Sequence, residues 1–123
     1  MAGALAAATI LGLAAPALAQ GQSCFFVSQW DHGWKAADDH TIYLGVSAGR
    51  RIFRLDLAGS CPGLTSPSAR LITGSFTDTY CTALEWNVSV RLYPSGVPVR
   101  CIVSKMTQLT PAQAAALPKN LQP

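Results

Sequence analysis

Four cysteines, Cys24, Cys61, Cys81 and Cys101, follow an opening that reads as an export leader, and together they limit what the rest of the chain can fold into. Met1 to Ala15 is uncharged and dominated by Ala, Leu, Gly and Ile, and Ala17-Leu18-Ala19 supplies the small-x-small site that signal peptidase cuts before Gln20. Residues 1–19 are therefore expected to be a signal peptide and the mature protein to be periplasmic or secreted. Thiols in such a compartment pair. Pro16 and then Gln20-Gly21-Gln22 end the apolar run before it reaches the roughly 20 residues that a membrane helix needs. No transmembrane segment is expected in the mature chain.

What remains, residues 20–118, is one domain by length, with Lys119 to Pro123 expected as a loose tail. A domain of this size buries only about two thirds of the surface its unfolded chain exposes, so covalent staples supplement a modest core. Period-two alternation dominates it, which argues for strands. In Leu84 to Leu92, the residues Leu84, Trp86, Val88, Val90 and Leu92 share one face and Glu85, Asn87, Ser89 and Arg91 the other. Thr41 to Val46 and Arg51 to Leu57 alternate in the same way around Ser47-Ala48-Gly49-Arg50 and read as a hairpin. Cys24 to Trp30, Ala69 to Phe76 and Val99 to Ser104 are three further candidates. Near the end, Thr110 can cap a short helix, with Pro111 in its first turn and Pro118 as its stop. Too short to stand alone, this helix is expected to dock its Ala and Leu face on the sheet. The expected fold is mainly β: a small antiparallel sheet or partly closed barrel of five to seven strands with one short C-terminal helix, stapled by disulfides.

Four cysteines allow three pairings, and the strand reading favours one. A turn at Ser75 to Asp78 would fold Thr79 to Thr82 back beside Arg70 to Thr73, bringing Cys81 toward the loop that Cys61 and Pro62 open. Cys61 with Cys81 then leaves Cys24 with Cys101. The spacing lacks any C-x-x-C, which argues against zinc or a redox pair.

Chemistry concentrates in Trp30 to His40, which holds three of the six acids, both histidines and two of the three tryptophans. Asp31, His32, Asp38 and His40 are competent metal ligands that would meet across a turn. Alternatively, the segment is a polar connection between the first two strands, with Trp30 and Trp34 covering the sheet. The spacing matches no H-E-x-x-H, and the chain has neither a G-x-S-x-G elbow nor a glycine-rich phosphate loop. Tyr43 and Arg54 alternate away from Ile42, Leu44, Phe53 and Leu55, and are expected in an exposed basic and aromatic patch with Trp30 and Trp34 as further binding candidates.

Nine Lys and Arg against six Asp and Glu leave a formal charge of +3, and the six arginines are dispersed along the sequence. Nucleic-acid binding wants a denser patch or a recognisable module, and none is expected.

The order Cys24-Phe25, Trp34-Lys35-Ala36, Asp39-His40-Thr41-Ile42-Tyr43, Phe53-Arg54-Leu55-Asp56-Leu57, Cys61-Pro62, Tyr80-Cys81, Leu84-Glu85-Trp86, Cys101-Ile102-Val103 and Leu109 to Pro118 resembles a family of small secreted proteobacterial proteins, domain-of-unknown-function family 6491. The resemblance covers essentially the whole mature chain and all four cysteines. It implies no activity, substrate or catalytic residue. Two positions depart from the family pattern: Gln113 stands where an acid is common, and Gly45 where an Arg is common. The expected role is non-catalytic binding of an envelope protein or ligand, without a cofactor or catalytic residue. The alternatives are a metal-binding protein or metal-dependent enzyme using Asp31 to His40, and a structural accessory subunit of an envelope assembly.

Overall fold

Alternation and turn chemistry take effect where they are local, and the rest of the architecture comes from pairings between segments far apart in sequence. The computed structural model describes residues 24–74 and 79–123, without the side chains of Asp31, His32 and Glu85. The expected leader, its cleavage before Gln20, and the expected turn at Ser75 to Asp78 lie outside the described residues. The strands are β1 (Phe25–Phe26), β2 (Trp30–Asp38), β3 (Thr41–Val46), β4 (Arg51–Leu57), β5 (Ala69–Gly74), β6 (Thr79–Tyr80), β7 (Asn87–Leu92), β8 (Val99–Cys101) and β9 (Val103–Gln108), followed by helix α1 (Pro111–Ala115). They form three antiparallel sheets, ordered β2-β3-β4-β9, β5-β7-β8 and β1-β6. The protein is mainly β, and its sheets stay open: among the described residues no barrel closes.

The β3–β4 hairpin matches its expected bounds at both ends, with Val46 opposite Arg51 and Thr41 opposite Asp56. Its connection takes three successive left-handed residues, Ser47, Ala48 and Gly49. Gly49 adopts this backbone without strain, whereas Ser47 and Ala48 hold it against the usual steric cost. The Ser47 amide donates to the Gln29 carbonyl at 2.8 Å, which anchors the turn to the segment before β2.

Nine strands replace the expected five to seven because Val99 to Ser104 is divided in two, the expected loop Asp31 to Asp38 forms most of β2, and Thr79–Tyr80 pairs as β6. Cys24 to Trp30 splits at a 3-10 turn, Val27–Gln29, so that β1 leaves to pair with β6. Val99 to Ser104 splits at Ile102, where the chain passes from the β5-β7-β8 sheet to the β2-β3-β4-β9 sheet. The Ile102 carbonyl accepts the Ala58 amide at 2.8 Å at that corner. The segment Asp31 to Asp38, read as a polar connection, belongs to β2 and pairs with β3 through register shifts between Trp30 and Trp34 and between Ala36 and Asp38. Bulges accommodate an Asp-His-Gly sequence that breaks alternation. Leu84 to Glu85, in contrast, leaves the expected strand: Ala83–Glu85 is a 3-10 turn, Leu84 is fully exposed, and β7 begins at Asn87.

The disulfides join Cys24 to Cys81 and Cys61 to Cys101, which corrects the expected pairing. The strand that returns beside β5 is β7, not Thr79 to Thr82. Thr79 and Tyr80 pair instead with Phe26 and Phe25, so Cys24 and Cys81 flank the same two-stranded ladder. Cys61 is left to meet Cys101 at the sheet-switching corner.

The core fills the space among the three sheets. Phe25 on β1 meets Phe53 at 4.8 Å between ring centroids, Tyr80 at 5.5 Å and Trp86 at 5.9 Å, and Tyr80 stacks on Trp86 at 3.9 Å. The Arg51 guanidinium closes one end, lying 5.1 Å from the Phe53 centroid and donating to the Cys24 carbonyl at 2.7 Å.

The C-terminal segment departs from expectation in two ways. Helix α1 has the expected cap: Thr110 Oγ1 accepts the Gln113 amide at 3.2 Å, and Gln113 Oε1 accepts the Thr110 amide at 2.9 Å. Gln113, which departs from the acid common in the resembling family, thus completes a capping box as an acid would. No residue of α1 is fully buried, and of the expected Ala and Leu face only Ala114 and Leu117 are half-buried. Residues Lys119 to Pro123 dock as well. They form a 3-10 turn, Lys119–Leu121, and end with Pro123 placed 3.4 Å from where a Gly45 Cβ would be. The expected loose tail is a packed strap, and every residue of β3 is buried on both faces.

Candidate binding surface

The β2–β3 turn uses its polar groups to hold the fold. Asp38 Oδ1 accepts the His40 amide at 2.8 Å, and His40 Nδ1 donates to the Gly59 carbonyl at 2.9 Å. The Asp39 and His40 carbonyls accept the Cys61 and Leu57 amides, each at 2.8 Å. This lashes the turn to the loop that follows β4 and positions Cys61. Asp31 and His32 lie at the opposite end of β2, and their side chains lie outside the described ones. At about 3.3 Å per residue, the six residues from His32 to Asp38 separate these backbone positions by about 20 Å. The four candidate ligands therefore do not meet across a turn. Among the described residues no three His, Cys, Asp or Glu side chains converge.

The four binding candidates are likewise dispersed. Trp30 is buried in the core, its indole N–H donating to the Gly33 carbonyl at 3.1 Å across the β2 irregularity. Trp34 is half-buried and, with Lys35, Leu64 and Ser66, lines a shallow groove of about 330 Å³. Tyr43, expected to be exposed, is buried at 8%, on the same β3 face as Gly45, which Pro123 approaches. Arg54, opposite Tyr43, is exposed but committed to Asp56, with both Nε and Nη2 at 3.0 Å from Oδ1. The hydrogen bond to Asp56 raises the Arg54 pKa above its ordinary value, against a smaller opposing effect of burial.

A different cluster emerges on the β5-β7-β8 sheet. Residues directly opposite in adjacent strands share a face. Arg70 on β5 is opposite Arg91 on β7, and Ser89, two residues from Arg91, is opposite Arg100 on β8. Ala69, Val88 and Val90 turn into the core, so all three arginines fall on the outer face. Cross-strand geometry places Arg70 and Arg91 about 5 Å apart at Cβ, with Arg100 on the diagonal about 7 Å from Arg91. The exposed Tyr93 ring organises the first two: the Arg70 and Arg91 guanidinium carbons lie 5.6 and 5.3 Å from its centroid. Arg91 Nε also donates to the Gly96 carbonyl at 3.1 Å, tying the cluster to the β7–β8 connection. That connection is tight, since a Cβ on Gly96 would run into the Leu92 carbonyl oxygen.

Comparison with family models, with curated proteins and with solved structures finds no match. The chemistry of the cluster therefore has to speak for itself. Among the described residues the ion pair is Arg54–Asp56, and Arg70, Arg91 and Arg100 have no carboxylate partner. Each guanidinium carries five N–H donors, of which Arg70 uses Nη1, donating to the Ala69 carbonyl at 3.1 Å, and Arg91 uses Nε. What remains is a set of cationic donors, held at fixed spacing and free to receive an oxyanion.

From the sequence Tyr93 reads as one of several aromatics able to stack on a ligand, while the three arginines are passed over as a site. Arg91 was legible on the wet face of its strand, and Arg70 alternates away from Ala69 and Leu71. Only the pairing of β5 with β7 makes them neighbours, and that pairing spans the chain between them.

Proposed function

We propose that this chain is a non-catalytic binding domain of the periplasm or the extracellular space, associated with the cell envelope. The observation that carries the reading is the outer face of β5-β7-β8, where Arg70 and Arg91 pack on exposed Tyr93 with Arg100 nearby, and none of the three has a carboxylate partner among the described residues. Two disulfides suit an oxidising compartment. No helix among the described residues is long and apolar enough to cross a membrane. The polar groups of the β2–β3 turn support the same reading, since Asp38, Asp39 and His40 are engaged in backbone hydrogen bonds that hold the turn. Membership of the domain-of-unknown-function family that the cysteine order resembles belongs to the same proposal.

The test is co-sedimentation with washed envelope fragments at low and high salt, comparing wild type with the triple variant Arg70→Gln, Arg91→Gln, Arg100→Gln. Wild type should be retained and the triple variant released, with its circular dichroism unchanged. Equal retention of the two proteins would overturn the assignment to this face. Stoichiometric zinc, copper, nickel or manganese at micromolar affinity, lost in His32→Ala with His40→Ala, would replace it with the metal reading.

A further inference from the structure

The arginine face ends in the β7–β8 connection, Tyr93 to Pro98, and the side chains there are of the opposite kind. Of the nine large apolar side chains exposed among the described residues, five belong to this sheet and its connection: Ile72, Leu92, Tyr93, Val97 and Val99. Val97 is the most exposed of the five at 81%, and Tyr93 stands at 54%. Nothing in the fold requires an apolar residue at Val97, which covers no part of the core. Tyr93 and Val97 lie in the connection itself, next to the arginine face, whereas Leu92 and Val99 flank it on the opposite face and Ile72 lies farther along the sheet opposite Ser89.

This combination discriminates among anionic partners. A soluble polyanion would use the arginines and leave Val97 in water. The boundary between lipid headgroups and acyl chains accepts both kinds of group: phosphates meet the guanidinium donors, apolar side chains enter the acyl edge, and tyrosine is enriched at that depth. The groups also lie in the required order, since Arg91 is anchored to the tip through the Gly96 carbonyl and Arg70 and Arg91 both rest on the Tyr93 ring. We propose that the β7–β8 connection docks on an anionic lipid surface, with Tyr93 and Val97 inserted and Arg70, Arg91 and Arg100 bound to headgroup phosphates. The proposal rests on the binding reading above and names the partner for that surface.

The test uses protein recovered from an exporting host, with its N-terminus determined, so that any contribution from residues 1–19 is common to every variant. Binding to sucrose-loaded vesicles is measured by sedimentation with phosphatidylcholine alone and with phosphatidylglycerol added. Wild type should bind only the anionic vesicles, and less as salt rises. Each Arg→Gln change should lower the partition coefficient about fivefold. Val97→Asp should lower it about tenfold or more, because a carboxylate both resists insertion and repels the phosphates. Leu84→Asp, a fully exposed position outside this sheet, serves as the control and should change nothing. Absence of vesicle binding, or binding indifferent to Val97→Asp, would overturn the lipid proposal. If soluble polygalacturonate then binds with the same dependence on the arginines, the binding reading survives and only the partner changes. If the arginine changes affect neither vesicles, polygalacturonate nor envelope fragments, the binding reading fails as well.

Discussion

The β2-β3-β4-β9 and β5-β7-β8 sheets are built from the same alternating pattern but finished differently. In the first, β3 is buried on both faces, because the core covers Ile42, Leu44 and Val46 while the C-terminal strap lies against Gly45 on the other side. Its exposed Arg54 is paired with Asp56 while Lys35 and Lys105 have no ion pair among the described residues, and its end turns are tied by Asp38, Asp39 and His40. In the second sheet the outer face is left open and carries like charges directly opposite each other at Arg70 and Arg91. Such a pair costs folding stability. A sheet whose faces are covered serves the fold, and a sheet that tolerates like charges face to face beside exposed apolar side chains has surface to offer a partner.

The harshest way to break this comparison is to cut the ties between the sheets. The bridges close 57 and 40 residues of chain, and loop-closure entropy assigns each about 4 kcal/mol. Losing both removes an amount comparable to the whole net stability of a small domain, about 5 to 15 kcal/mol. Full reduction should therefore unfold the protein at 37 °C as followed by circular dichroism. Non-reducing peptide mapping should recover Cys24 with Cys81 and Cys61 with Cys101. A reduced protein with native amide-exchange protection would show that packing alone joins the sheets.

Next in size is the contrast between the covered and open faces. Phe53 is fully buried between Phe25 and the Arg51 guanidinium, and Phe53→Ala should cost about 3 to 5 kcal/mol in urea unfolding. Ile72→Ala on the open face should stay within about 0.5 kcal/mol. A large cost at Ile72 would mean that this face is covered in the free protein, which would remove the basis for a binding surface there.

Legibility in the sequence follows the same division between local and distant interactions. The β3–β4 hairpin was readable to the residue because its strands alternate strictly and its four-residue connection contains Gly49. The capped start of α1 was readable because Thr110 and Pro111 act within one turn. Strand β2 was hidden, since Asp31, His32 and Gly33 carry loop chemistry and the bulges that absorb them leave no periodic trace. The disulfide pairing failed for a related reason: it depended on which distant strand lies beside β5, and local pattern says nothing about that choice. The arginine cluster needed the same missing fact. Its members were visible one at a time, each as an exposed residue with no stated neighbour.

The C-terminal strap sharpens the comparison at intermediate cost. Gly45→Arg, which installs the residue common in the resembling family, places its Cβ in contact with Pro123 at 3.4 Å, so the longer side chain has to find room against the strap. The expected loss is about 1 to 2 kcal/mol, the usual range for overpacking. In a chain that ends at Leu117 the same substitution should cost almost nothing, because the obstructing residue is gone. The difference between the two backgrounds isolates the strap contact. Equal costs would place the strain within β3 itself.

The smallest effects distinguish the sheets by sign. Arg54→Gln removes an exposed ion pair, worth under about 1 kcal/mol. Arg70→Gln removes one cation–π contact with Tyr93 and, at the same time, a like-charge neighbour of Arg91; at about 0.5 kcal/mol apiece these nearly cancel. In buffer of moderate salt, neither variant should differ from wild type by more than about 1 kcal/mol, and unfolding curves at one ionic strength will hardly separate them. Salt separates them. Screening weakens the attraction between Arg54 and Asp56, so wild type should lose its small advantage over Arg54→Gln between about 0.02 and 0.5 M salt. Screening also weakens the repulsion between Arg70 and Arg91, so over the same interval wild type should gain on Arg70→Gln. Opposite slopes in the two stability differences, measured by urea denaturation across a salt series, would establish Arg54 as electrostatically matched and Arg70 as held against a like charge. Parallel slopes would mean that Arg70 and Arg91 are already neutralised by a partner in the free protein, and the open face would lose its unmatched charge.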